Sequence, residues 1–164
     1  MSQNPMDRTL LWPSAEFLAK FIQTQDMKDL KVLEIGSGHS IPLLACNSTY
    51  KKSHDISGDY DYTFKWGEAI EAEFFDVILA SDIFYDQQMY SDIFVTLAYF
   101  FRVNPNLRVI VGYQHRVFDD CFEPWLKLWN LKASILTSDD PLYIFEFIKF
   151  IPRVNQTVSA SDSN

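Results

Sequence analysis

Asp82 and Tyr85 are the two side chains most readily put to chemical use in this sequence. They stand three residues apart in Ser81-Asp82-Ile83-Phe84-Tyr85, directly after Phe74 to Ala80, an apolar run that reads as a buried strand. Ligands of open α/β sheets bind outside the carboxyl ends of the strands, so a carboxylate and a phenol placed there can both face a crevice. The bland alternative is an aspartate that caps the next helix and a tyrosine packed on the surface. A second candidate is Glu34-Ile35-Gly36-Ser37-Gly38, which closes the short apolar run Lys31 to Ile35. Glycine at such a turn lets backbone approach a ligand, and the helix that follows offers free N–H groups. Only G-x-G is present, and Ile41 stands where a dinucleotide-binding turn has its third glycine, so the turn can equally be plain strand punctuation. The third candidate is Phe64-Lys65-Trp66-Gly67-Glu68, where an aromatic ring could stack on a purine or fill core.

Other chemistries find no support. None of His39, His54 and His115 lies four residues from another histidine or a cysteine, so no metal site is indicated. Neither a G-x-S-x-G elbow nor a phosphate-binding P-loop occurs, which removes the common hydrolase and phosphotransferase signatures.

Strands and helices must hold these candidates in place. Leu18, Phe21 and Ile22 recur at helical spacing after Pro13-Ser14, and Ile41 to Cys46 reads as a short helix with Pro42 in its first turn. Asn47 to Asp61 is polar without a clear period and reads as loop, followed by a short strand at Tyr62 to Trp66. Tyr90, Ile93, Phe94, Leu97 and Phe101 share one face of a helix over residues 88–102. Leu107 to Tyr113 is another buried-type strand, and Phe122, Trp125, Leu126 and Trp129 mark a helix with Pro124 near its start. Leu131 to Thr137 and Tyr143 to Ile151 read as two closing strands, too close in sequence for a parallel crossover and therefore antiparallel. The alternation predicts an α/β fold with a mostly parallel sheet. It occupies residues 1–151 as one domain, and residues 152–164 read as a frayed tail.

The chain has 164 residues with 14 Lys and Arg against 22 Asp and Glu, a net charge of −8. Such a balance lacks the basic face that neutralises phosphates, so no nucleic-acid partner is expected; an acidic surface suits basic protein partners or plain solubility. No apolar run approaches the roughly 18 residues that span a bilayer, so no membrane association is expected. Cys46 and Cys121 stand far apart, as free thiols of a reducing compartment do, and no signal peptide is readable; cytoplasm and nucleus are the expected locations.

Taken together, these segments resemble the seven-strand S-adenosylmethionine-dependent methyltransferases, in the branch that methylates protein side chains. Leu11-Trp12-Pro13-Ser14 is similar to that branch's tryptophan–proline opening. Val32-Leu33-Glu34-Ile35-Gly36-Ser37-Gly38-His39-Ser40-Ile41-Pro42 is similar to its glycine motif, and Trp66-Gly67 and Ile78 to Tyr85 to its later motifs. Ala80-Ser81-Asp82, Asn104-Pro105, Tyr113-Gln114 with Arg116, and Trp129 narrow the resemblance to the methyltransferase-like protein 23 family, described as histone-arginine methyltransferases. The resemblance implies a Rossmann-like methyltransferase sheet, S-adenosyl-L-methionine as cofactor, a basic histone-like protein substrate and a role in chromatin. It implies that Trp12 and Trp66 flank the cofactor, that Gly36, Ser37 and Gly38 approach its methionine and ribose portion, and that Ser81 lies beside its adenine or sulfonium. Asp82 and Tyr85 match the family's D-x-x-Y/F motif at the acceptor nitrogen, where a carboxylate can pair with a guanidinium.

One departure stands out. Only 27 residues separate Gly38 from Trp66, whereas a helix, a strand, a second helix and another strand need on the order of 45. The sheet is therefore expected to be shortened by about one strand–helix unit, the unit that carries the family's ribose-binding acid, with Asp55 the only nearby substitute. The edge of the first strand is expected to be bare or covered by Tyr62–Trp66, and cofactor binding to be weak. A binding or scaffold protein that kept the fold and lost part of the cofactor site is the alternative reading.

Overall fold

Buried β-branched and aliphatic runs form the middle of the molecule. A computed structural model describes residues 11–36, 38–54, 73–116 and 122–150. The strands are β1 (Lys31–Ile35), β2 (Tyr50–His54), β3 (Val77–Ser81), β4 (Arg108–Gln114), β5 (Leu131–Asp139) and β6 (Leu142–Lys149). Among the described residues they make one six-stranded sheet in the order β2-β1-β3-β4-β6-β5. The first four run parallel, with Val32 opposite Val77 and Ala80 opposite Val111. β6 pairs antiparallel with both β4 and β5. The fold is thus α/β and Rossmann-like, with the apolar runs β1, β3 and β4 as adjacent parallel strands at its centre.

Helices cover both faces, because strands buried on both sides carry apolar residues at every position. α1 (Pro13–Ile22) and α2 (Ile41–Ala45) sit on one face, over Val32, Val77, Leu79, Ile110 and Ile144. α3 (Tyr90–Val103) and α4 (Glu123–Leu128) cover the other, over Leu33, Ile78, Val109 and Phe147. That second face is aromatic: Phe94 stacks on Trp125 with centroids 6.1 Å apart, and Phe84 stacks on Phe122 at 5.5 Å. At the amino end of the sheet Asn104 is structural. Its side-chain N–H donates to the Phe75 carbonyl at 2.8 Å, and its carbonyl accepts the Asn106 amide at 2.9 Å.

The segment read as loop contains β2, which lies parallel to β1 from Lys31 opposite Tyr50 to Ile35 opposite His54. The strand escaped notice because it is an edge strand, Tyr-Lys-Lys-Ser-His, with no apolar alternation to betray it. Its polar side chains are nevertheless engaged. Lys51 Nζ donates to the Cys46 carbonyl at 3.1 Å, and Lys52 pairs with Glu73. β2 covers the edge expected to be bare or filled by Tyr62–Trp66. The Tyr62–Trp66 strand itself, Asp55 and the tail lie outside the described residues.

Candidate functional site

β1, β3 and β4 end together, and their carboxyl ends carry most of the candidates. Ile35 is opposite Ala80 and Ser81 is opposite Gly112, so Gly36, Ser81 and Asp82 all emerge at one end of the sheet. Gly36 and Gly38 both adopt positive φ, 64° and 46°, which favours glycine. A Cβ built on Gly38 would meet nothing within 4 Å, so this turn opens onto free space.

Beneath it lies Glu34, wholly buried on the face shared with Val32. Neither carboxylate oxygen has a hydrogen-bond partner. Burial pushes its pKa up to about 8, opposed by the nearby Leu43 N–H in the first turn of α2. A buried carboxylate without a partner costs free energy unless something cationic or N–H-bearing meets it. Glu34 was quoted in the glycine motif but not singled out as a site residue, because only its burial makes it unusual.

The N-terminal segment reaches the same end. Trp12 precedes α1, with Pro13 in the first turn, and is about one-third exposed. The Ser14 carbonyl would lie only 2.7 Å from a Cβ on Gly112, and Leu18 Cβ only 3.0 Å. Gly112 is therefore the position that lets α1 sit down on β4. No sequence motif flags it, since its partner is almost a hundred residues away.

After β3 the chain alternates between inside and outside. Asp82 is buried and takes a positive φ of 52°, and its N–H donates to the Gly112 carbonyl at 2.8 Å. Ile83 and Phe84 enter the core, and Tyr85 is half exposed. Helix capping falls to Asp86, whose carboxylate accepts the Gln88 amide at 2.9 Å. The Asp82 carboxylate is paired with the guanidinium of Arg116, just past the end of β4. Sequence reasoning foresaw a guanidinium on Asp82 but assigned it to the acceptor; the chain brings one of its own. Ser37 and Trp66 lie outside the described residues, which contain no His, Cys, Asp and Glu cluster able to hold a metal.

A family model described as lysine methyltransferase matches residues 60–122. The histone-arginine methyltransferase METTL23 of Xenopus laevis is 28% identical over 151 residues, covering 76% of this chain and 64% of that protein. METTL23 of Homo sapiens, with the same description, is 25% identical over 152 residues, covering 75% and 79%. The chain is similar to the METTL23 methyltransferases. Solved structures agree on the fold. The ribosomal protein L11 methylase of Lactobacillus delbrueckii superposes with a TM-score of 0.58 at 16% identity, over 84% of this chain and 77% of that one. The Thermus thermophilus 16S rRNA N2 G1207 methyltransferase, solved with AdoMet and guanosine, gives 0.61 at 14% identity, over 90% and 42%. The chain thus spans just under two thirds of the Xenopus protein's length and shares the Rossmann-like sheet of these methyltransferase structures.

Proposed function

We propose that this chain is an S-adenosylmethionine-dependent protein methyltransferase acting on arginine side chains of a basic, histone-like protein in cytoplasm and nucleus. The observation that carries the reading is the junction of a buried Glu34, with only the Leu43 N–H near its carboxylate among the described residues, and the open positive-φ turn at Gly36 and Gly38. Those features fit a ligand bearing cationic groups, as this cofactor does. Gly36, Ser37 and Gly38 would admit its methionine and ribose portion, Ser81 its adenine or sulfonium, and Trp12 and Trp66 would flank it. When bound, the cofactor supplies an electrophilic methyl group on sulfur.

The chain's own task is alignment. An in-line displacement needs donor and acceptor held about 3–3.5 Å apart in a dry site. Asp82, fixed at the end of β3, and Tyr85, exposed beside it, would frame the acceptor nitrogen. Arginine as acceptor draws its support from the METTL23 descriptions, while the family model's description names lysine. The scaffold reading rests on the missing strand–helix unit and the ribose-binding acid it carries; β2 takes the strand's place beside β1. Asp55 is the next residue in sequence after β2, where a ribose-binding acid is wanted.

Calorimetric titration with S-adenosylmethionine, followed by transfer of labelled methyl to core histones and analysis of the modified residue, tests the proposal. With β2 covering the edge of β1, low-micromolar binding is expected, against the weak binding expected from the short Gly38–Trp66 spacing, together with labelled methylarginine. Absence of binding defeats the cofactor assignment; methyllysine in place of methylarginine defeats the acceptor assignment alone.

A further inference from the structure

Arg116 belongs to the marker it forms with Tyr113-Gln114, and in the described contacts it touches neither the glycine turn nor Tyr85. Its place is nonetheless specific. It stands two residues past β4, after His115, whose amide donates to the Pro141 carbonyl at 2.8 Å in the β5–β6 turn. From there its guanidinium reaches Asp82, 34 residues earlier in the chain. The Asp82 side chain is 5% exposed and that of Arg116 33%. The pair therefore has a buried anion and a cation that opens toward solvent. Asp82 is also held through its backbone, by a left-handed φ and the bond to Gly112. Removing the partner of a charge this deeply placed, in a conformation that L residues seldom adopt, leaves it poorly compensated and loosens its position.

We propose that Arg116 is a positioning residue: its guanidinium pins the Asp82 carboxylate at the carboxyl end of β3 and so sets the geometry of the Ser81–Tyr85 segment that faces the acceptor. The proposal rests on the methyltransferase reading. It also changes the part played by Asp82. A carboxylate already joined to an internal guanidinium is a fixed element of the acceptor wall; an incoming guanidinium does not meet it as a free anion. Displacement of reacting groups by about 1 Å can cost a hundredfold in rate, so the pair's removal should register in turnover before it registers in cofactor binding.

The test compares the full-length wild type with Arg116→Gln and Arg116→Lys. Cofactor affinity is read by calorimetry, methyl transfer by labelled core histones, and protection of the Asp82 amide in the ligand-free chain by hydrogen exchange. For Arg116→Gln the expected results are cofactor affinity within about threefold of wild type, kcat lower by about a hundredfold, and an Asp82 amide that exchanges at least about tenfold faster while the Val111 amide is unchanged. Arg116→Lys, which keeps the charge, should regain a large part of both losses. Turnover of Arg116→Gln within threefold of wild type, or an Asp82 amide as protected as before, overturns the proposal. So does a parallel loss of cofactor affinity and turnover that lysine does not relieve, since that marks a merely structural role. Wild type that binds no cofactor or transfers no methyl defeats the methyltransferase reading first, and is recognised because it fails before any variant is compared.

Discussion

Glu34 is the residue whose environment and chemistry are most at odds. A carboxyl that ionises at 4.5 in the unfolded chain and at about 8 in the folded one binds its proton more tightly when folded. Stability tied to it is therefore full below pH 4.5 and is lost progressively as pH rises to 8, with a ceiling of roughly 5 kcal/mol. Ligand-free protein should melt at lower temperature at pH 8 than at pH 5.5, and Glu34→Gln should flatten that decline. A wild-type profile flat across this window would show that Glu34 has a partner. The same substitution should weaken cofactor affinity, since the amide carries no charge to meet a cation. Asp82→Asn belongs to the same scale: cofactor binding should persist while methyl transfer falls by roughly 10²-fold or more, because the Arg116 guanidinium then faces a neutral amide. Undiminished transfer by that variant would remove Asp82 from the acceptor wall. The glycine turn and Asp82 were legible as residue types at strand ends. The burial of Glu34 and the Asp82–Arg116 pair were not, because both arise from contacts between distant segments.

At the scale of elements, the contact between α1 and β4 is the tightest link between fold and site. A methyl group on Gly112 would press on the Ser14 carbonyl and on Leu18. Gly112→Ala should cost about 1–3 kcal/mol through overpacking and shift the start of α1, carrying Trp12 with it. Chemical denaturation measures the first effect, and weakened cofactor affinity relative to a stability-matched core variant reports the second. Which elements the sequence revealed follows from where their apolar residues go. β1, β3 and β4 are buried on both faces and read as mostly apolar runs, broken in β1 by Glu34, and α3 has one apolar face against the sheet. β2 is an edge strand of lysines, serine and histidine, so hydropathy gave it away as loop. Its existence depends on pairing with β1, a property of the partner as much as of its own residues.

At the scale of the whole molecule, the net charge of −8 bears on substrate capture. If the acceptor is a basic protein tail, long-range attraction speeds encounter and fades as salt shortens the screening length from about 10 Å at 0.1 M to about 3 Å at 1 M. KM for core histones should rise with ionic strength while kcat stays nearly constant. A salt-independent KM would place recognition in short-range contacts alone. The α/β class and the antiparallel closing pair were legible from element spacing, because a five-residue connection cannot make a parallel crossover. The seat of α1 was not, since amphipathic spacing fixes which face is buried and leaves the buried surface unnamed.

That seat has a consequence for how the chain is made. α1 comprises residues 13–22, yet it packs over Ile110 of β4 and Ile144 of β6. The helix leaves the ribosome before every strand it packs against, and its docking surface is completed only when β6 has been synthesised. At about 5–20 residues per second, the apolar side of α1 waits on the order of ten seconds for its partner strands. Its docking cannot precede synthesis of the strands beneath it, which gives chaperones an interval in which its exposed Leu18 and Ile22 are the surface to hold.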